Sequence, residues 1–262
     1  MSCTICGQPT SEYAHAIVLG KYDACYNQCT RCGFVQVEEP HWLAEAYSDA
    51  ITASDLGLVA RNLGNSKICR ALIPVFFNPD GKFVDYGGGY GLFVRMMRDT
   101  GFDFYLYDPL CENLFAKRFL ADPSGDQKYE LLTAFEVFEH LVDPLRNIEE
   151  MLRFSPNIFF STSLLPATNP KPTEWQYFGL EHGQHISFYT EKSLTIIAEQ
   201  YGLHVHSCRG SLHLFSQDRL RRPWLFDRVA HYQVASVLSV IRKRPSLTPG
   251  DFYFITGSQL EG

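Results

Sequence analysis

Lys82-Phe83-Val84-Asp85-Tyr86-Gly87-Gly88-Gly89-Tyr90-Gly91-Leu92 decides the fold: a short apolar strand runs into a glycine turn and then into helix-forming sequence. Glycine tolerates positive φ and, lacking Cβ, lets main-chain N–H groups approach a ligand closely, while the helix start behind it brings unsatisfied donors. The stretch therefore predicts a nucleotide-like cofactor held against bare backbone. A dinucleotide fingerprint, G-x-G-x-x-G, would need a third glycine where Leu92 stands. The pattern that runs without a gap is D-x-G-x-G-x-G over Asp85, Gly87, Gly89 and Gly91.

Outward from this loop, strands alternate with helices. Leu92 to Thr100 has helical character and stops at Gly101, and Phe104 to Tyr107 is a strand ending in Asp108. A carboxylate there, nineteen positions after Gly89, suits the two hydroxyls of a ribose. Residues 109 to 128 are interrupted by Pro, Gly and Asp, with Phe115 to Leu120 as a weak strand. Leu131 to Phe135 and Asn157 to Leu165 are strands flanking a helix opened by Asp143-Pro144. Glu191 to Tyr201 is a helix ended by Gly202, and two strands follow near 203 to 208 and 211 to 216. This order predicts an α/β, Rossmann-like, mostly parallel sheet with a C-terminal antiparallel hairpin.

Five of the eight cysteines fall within the first 32 residues. Cys3-x-x-Cys6 and Cys29-x-x-Cys32 form two knuckles separated by strand-like runs at Ile17 to Leu19 and Cys25 to Gln28. Each knuckle points two thiolates at one tetrahedral ion, so the expectation is a small four-cysteine zinc ribbon with a structural Zn2+. Cys25 has no partner at that spacing. The predicted organisation is a ribbon at 1-39, a helical linker or substrate cap at 40-80, the cofactor-binding core at 81-216 and a helical extension at 217-262. In the cap, Pro40 to Tyr47 is helical, and Ser54 or Asp55 caps a second helix to about Phe77 that Pro74 kinks or ends. In the extension, Trp224 to Ile241 carries an apolar stripe flanked by arginines, which suits packing on the sheet, a partner, or peripheral contact with an acidic membrane surface through 217-244.

The 262 residues, 45% hydrophobic and 20% charged, are those of a globular protein with a real core. A net charge of -6 argues against a general nucleic-acid role. The N-terminus lacks the pattern of a secretory leader and no apolar run reaches 18 residues, so a cytoplasmic protein with no transmembrane segment is expected.

Two further segments carry chemistry. Thr133 to Pro144 reads Thr-Ala-Phe-Glu-Val-Phe-Glu-His-Leu-Val-Asp-Pro, and Tyr177 to Tyr189 reads Tyr-Phe-Gly-Leu-Glu-His-Gly-Gln-His-Ile-Ser-Phe-Tyr. With the D-x-G-x-G-x-G loop, the first of these resembles class I S-adenosylmethionine (SAM) methyltransferases over residues 82 to 216. The cysteine ribbon and the second segment are similar to the deoxysugar C-methyltransferases. The sequence departs after Asp108, where it is short, and at Gln184, where the family pattern has Glu. The resemblance implies SAM bound by Asp85, Gly87, Gly89, Gly91, Asp108, Phe135 and Glu136, with Asp85 suited to the amino-acid moiety. It implies a sugar or nucleotide-sugar acceptor and His185 as general base, since an imidazole is neutral and basic near neutral pH. His182 and Glu181 stand one turn earlier as its support. His140 is expected to line the pocket structurally, and Tyr47, Trp175, Tyr177 and Tyr189 to wall it. Two other functions suit parts of the pattern: an NAD-dependent oxidoreductase on the same sheet, and a non-catalytic zinc-ribbon adaptor that senses SAM.

Overall fold

The computed structural model describes residues 1–48, 55–241 and 243–260, so Ser54, one of the two expected caps, and Arg242 of the basic flank lie outside the described residues. The chain opens with β1 (Thr10–Val18), β2 (Tyr22–Cys29) and β3 (Val35–Val37), then the short helix α1 (Leu43–Ala46) and the long α2 (Leu58–Phe76). The first two strands form an antiparallel hairpin longer than the short runs expected from sequence. Pro74 lies inside α2, which ends two residues later with Phe77 in extended backbone. A proline in a last turn forfeits one backbone bond and leaves the remaining turns intact.

Strand β4 (Lys82–Tyr86), helix α3 (Leu92–Asp99) and strand β5 (Asp103–Tyr107) follow as one alternation of period two and period 3.6. The weak strand expected over Phe115 to Leu120 does not form. A single parallel bridge, Leu106 to Leu120, takes its place, with the Leu106 N–H on the Phe119 carbonyl and the Ala121 N–H on that of Leu106. Next come β6 (Leu131–Phe135), α4 (Pro144–Phe154), β7 (Ile158–Ser161), β8 (Ser187–Phe188), α5 (Glu191–Gln200), β9 (His204–Cys208) and β10 (Leu212–Ser216). Thr190 and Ser193 close a reciprocal capping box at the start of α5. The six-stranded sheet has the order β5-β4-β6-β7-β10-β9; β5 and β6 flank β4 in parallel, and β9 runs antiparallel to β10. The α/β class and the terminal hairpin are as expected.

Trp224 to Ile241 is two helices rather than one: α6 (Trp224–Val229) and α7 (Tyr232–Ile241). The chain tightens between them, where the His231 N–H turns to the Arg228 carbonyl at 3.3 Å. The last helix is α8 (Thr248–Thr256), with proline in its first turn. No helix among the described residues is long and apolar enough to cross a membrane.

Two compact units result. One comprises Met1–Asp55, Phe135–Glu150 and Phe160–Asp218. Its core joins Tyr26, Val35, Trp42, Phe178, Ile186 and Phe188, and β8 extends the hairpin sheet by pairing with β3. Phe138 stacks on Phe160 with ring centroids 3.8 Å apart. The other unit comprises Leu56–Ala134, Met151–Phe159 and Arg219–Gly262. There the buried Arg98 guanidinium bonds Asp251 through Nε at 2.9 Å and Nη2 at 2.7 Å, turns Nη1 to Asp103 and the Phe104 carbonyl, and lies 3.7 Å from the Phe119 ring centre. All three nitrogens of a buried charge are thus engaged, the condition under which such a group is tolerated.

Candidate active site

The glycine turn closes over Asp85. That side chain is buried at the end of β4, where its Oδ1 accepts the Thr133 hydroxyl at 2.6 Å. Burial pushes its pKa up to about 7 against the pull of the Thr133 hydroxyl, with the charge of Asp108 adding to the rise. A Cβ at Gly88 would lie 2.1 Å from Asp85 Oδ2, so the turn rests on the carboxylate there with no room for a side chain, and Gly87, Gly89 and Gly91 all take positive φ. Gly91 is the N-cap of α3. Asp108 accepts the Gly89 N–H on Oδ2 at 2.8 Å and the Leu110 and Cys111 N–H groups on Oδ1 at 2.8 and 2.9 Å. A carboxylate offers about four lone-pair sites, so a hydroxylated ligand can still be accepted beside these three. This cradle suits a ligand with a cationic amino-acid end and a ribose: Asp85 has given up solvent for the Thr133 hydroxyl and gains most from a positive partner.

A second cluster forms in the other unit. After β6 the chain makes a 3-10 turn over Phe138–His140, preceded by Glu136 at a left-handed φ of 55°. The Glu136 N–H donates to Ser161 Oγ at 2.8 Å, and the Ser161 hydroxyl donates back to Oε1 at 2.6 Å. Non-glycine residues hold such backbone only where several bonds fix it. Glu139 is 0% exposed, and its carboxylate is pushed up to about 8 by burial and by the charge of Glu136, against the opposing pull of the Tyr177 and Thr162 hydroxyls. The His140 and His185 rings meet edge-on with centroids 4.9 Å apart, and the His182 ring meets His185 at 4.8 Å. His185 Nδ1–H donates to the main-chain carbonyl of Tyr177, which places the lone pair of the neutral ring on Nε2. His140 Nδ1 bonds the Tyr47 hydroxyl at 2.8 Å, and burial holds its pKa well below the usual imidazole range. His182 Nδ1 accepts the Gln184 N–H at 3.1 Å.

The expected histidine pair is therefore brought together, and a buried carboxylate, Glu139, joins it. Glu181 is exposed and bears on His182 through charge alone, so the acid inside the cluster is Glu139. The signal for it was present as the second acid of Glu136-x-x-Glu139-His140. Of the aromatic walls, Tyr47 and Tyr177 touch the cluster. Tyr189 and Trp175 belong to the packing: the Tyr189 hydroxyl bonds the Phe138 carbonyl at 3.0 Å, and Trp175 packs on Phe178 and Phe188. A Cβ at Gly179 would meet His182 Nε2 at 2.2 Å. Gly179→Ala is expected to displace that ring and lower turnover about tenfold to a hundredfold, with cofactor affinity unchanged; steady-state kinetics beside calorimetry check this.

The four ribbon cysteines also converge. Cys3 and Cys32 sulfurs are 3.7 Å apart, Cys6 and Cys32 3.7 Å, and Cys6 and Cys29 3.4 Å. Zn–S bonds of about 2.3 Å give tetrahedron edges of roughly 3.8 Å. The Arg31 and Cys32 N–H groups donate to Cys29 Sγ, each at 3.4 Å, as the turn of a metal knuckle requires. The residues fit a zinc ion.

Residues 61–208 match the profile of a family described as a methyltransferase domain. A comparison with curated proteins returned no match. Among solved structures, the chain is similar to an O-methyltransferase family 2 protein from Planctomyces limnophilus, in complex with apigenin, at 14% identity and a TM-score of 0.45. The alignment covers 67% of this chain and 65% of that one, so this chain spans less than two thirds of that protein's length. It is also similar to the plantazolicin methyltransferase BpumL in complex with SAH (9% identity, 69% and 95% covered, TM-score 0.48). A SAM-dependent methyltransferase from Thermotoga maritima aligns at 12% identity over 69% of this chain and 98% of that one, with a TM-score of 0.44.

Proposed function

The chain belongs to the methyltransferase-domain family, and from that membership we propose that it transfers the methyl group of SAM to a small sugar or nucleotide-sugar acceptor. The observation that carries the cofactor assignment is the buried Asp85 carboxylate beneath the glycine turn, a partner for the ammonium group of SAM. Gly87, Gly89 and Gly91 admit the cofactor's close approach and Asp108 its ribose. Phe135 and Glu136, which follow Thr133 by two and three positions, are assigned to the same cofactor on chain position. A dinucleotide has Leu92 against it where a third glycine is needed. The ribbon, with zinc on Cys3, Cys6, Cys29 and Cys32, has a structural role.

SAM supplies an already activated methyl group, so the protein's tasks are alignment and removal of a proton. His185 takes the acceptor's proton on Nε2. With SAM bound, the acceptor's electron pair would take the methyl carbon and the C–S pair would stay on sulfur, giving the methylated acceptor, S-adenosylhomocysteine and an imidazolium at His185. The Tyr177 carbonyl on Nδ1 stabilises that imidazolium, and His182 packs the ring in place.

Calorimetry with S-adenosylhomocysteine, followed by radiolabelled methyl transfer from SAM into fractionated nucleotide-sugars, tests this. His185→Gln is expected to bind S-adenosylhomocysteine as the parent does and to lose about a hundredfold or more in turnover. A zinc-replete protein that binds NADH and no S-adenosylhomocysteine would be an oxidoreductase. Binding with no transfer to any fraction would make it an adaptor.

A further inference from the structure

We propose that Glu139, His140 and His185 hold a divalent first-row metal ion, separate from the cysteine cluster, whose open positions receive hydroxyl oxygens of the acceptor. Each of the three residues offers a ligand atom, and these atoms all lie within 4.8 Å of one another. Metal bonds of about 2.1 Å set opposite ligands roughly 4.2 Å apart, so the three side chains stand close to ligating distance already. Two imidazoles and one carboxylate suit Mn, Fe, Co or Zn and leave further coordination positions vacant.

The strongest reason is Glu139 itself. It is 0% exposed, and neither carboxylate oxygen has a hydrogen-bond partner among the described residues. The Tyr177 and Thr162 hydroxyls bear on it from nearby and bond each other at 3.1 Å. Ionised, Glu139 is a buried charge with no counter-charge among the described residues. A cation satisfies both oxygens and offsets the charge of nearby Glu136. The supporting contacts are those of metal-bound histidines, whose second nitrogen is engaged by a carbonyl or hydroxyl. Nδ1 of His185 is held by the Tyr177 carbonyl, so Nε2 is its ligating atom; Nδ1 of His140 meets the Tyr47 hydroxyl, and the Gln184 backbone also bonds that ring. The Ile186 N–H bonds the Glu139 carbonyl at 2.9 Å, which ties the two ligand-bearing segments together.

This inference rests on the cluster being the acceptor side. With the ion bound, His185 Nε2 is a ligand and no longer the direct base proposed above; the coordinated hydroxyl is acidified by the metal and loses its proton to solvent instead.

The test titrates Mn2+ into the full chain loaded with one zinc per chain, enough for the cysteine ribbon alone, and follows free Mn2+ by electron paramagnetic resonance. One bound Mn2+ per chain is expected, weakened at least about tenfold in both Glu139→Gln and His140→Gln, with ribbon zinc retained. Absence of Mn2+ binding, or binding by both variants equal to that of the parent, overturns the site. If Glu139→Gln fails to fold, His140→Gln decides alone. No bound ion together with loss of turnover in His185→Gln leaves the direct base standing and removes the metal. A bound ion with no S-adenosylhomocysteine binding keeps the site and removes the methyl-transfer function.

Discussion

Cys29→Ser is expected to abolish zinc binding and to release the whole β1-β2-β3 sheet. Its sulfur is 3.4 Å from that of Cys6 and accepts two main-chain N–H groups, so serine removes a ligand and the turn it organises. Apparent binding free energies of structural zinc in small ribbons are about 10–16 kcal/mol, and that energy is folding energy. The loss travels. β3 pairs with Ser187 and Phe188, the first of them two residues past His185, and the Thr190 hydroxyl bonds the Cys32 carbonyl at 2.6 Å. Metal analysis should read no ribbon zinc in the variant, with methyl transfer lost and S-adenosylhomocysteine still bound, because the cradle belongs to the other unit. Full turnover in a zinc-free variant would refute a structural metal.

Asp85→Asn should make the protein more stable and worse at its task. Burial raises Asp85 from an ordinary value of 3.8 to about 7. The folded state therefore holds a proton that the unfolded state has released between those values. The contribution is fully present below about pH 4, falls as the pH rises and is gone above about pH 7, a loss of about 4 kcal/mol. Asparagine has no charge to desolvate, so the variant should melt several degrees higher at pH 8 and about equally at pH 4. Without the carboxylate, the partner proposed for the ammonium group of SAM is gone, and affinity should fall about tenfold or more. Thermal melts across pH 4 to 8, beside calorimetry with SAM, measure both halves. A stability difference independent of pH would show that Asp85 is charged throughout.

What the sequence made legible was local. Positive φ at the glycine turn, the two cysteine knuckles and the strand-helix alternation are each specified within a few residues, and all appear in the structure. Long-range pairings were not legible: nothing in Ser187-Phe188 announces that it extends the ribbon sheet. The missing strand after Asp108 was visible only as interruption, and the single bridge at Leu120 needs Leu106 to exist. Glu139 shows the limit most clearly. Its identity and spacing were in view, but what marks it is burial without a hydrogen-bond partner among the described residues, a property of the packed surroundings and not of the residue.

The proton on His185 is placed by a main-chain oxygen. Any residue at 177 supplies that oxygen, so point mutation there can reshape the acceptor wall while the tautomer stays as it is. Insertions or deletions between 177 and 185 act oppositely, moving the oxygen and scrambling which nitrogen is basic. Libraries aimed at new acceptors should therefore keep the loop length fixed, and replacements at 177 must answer for the Thr162 hydroxyl and the Ser163 N–H that the Tyr177 hydroxyl engages.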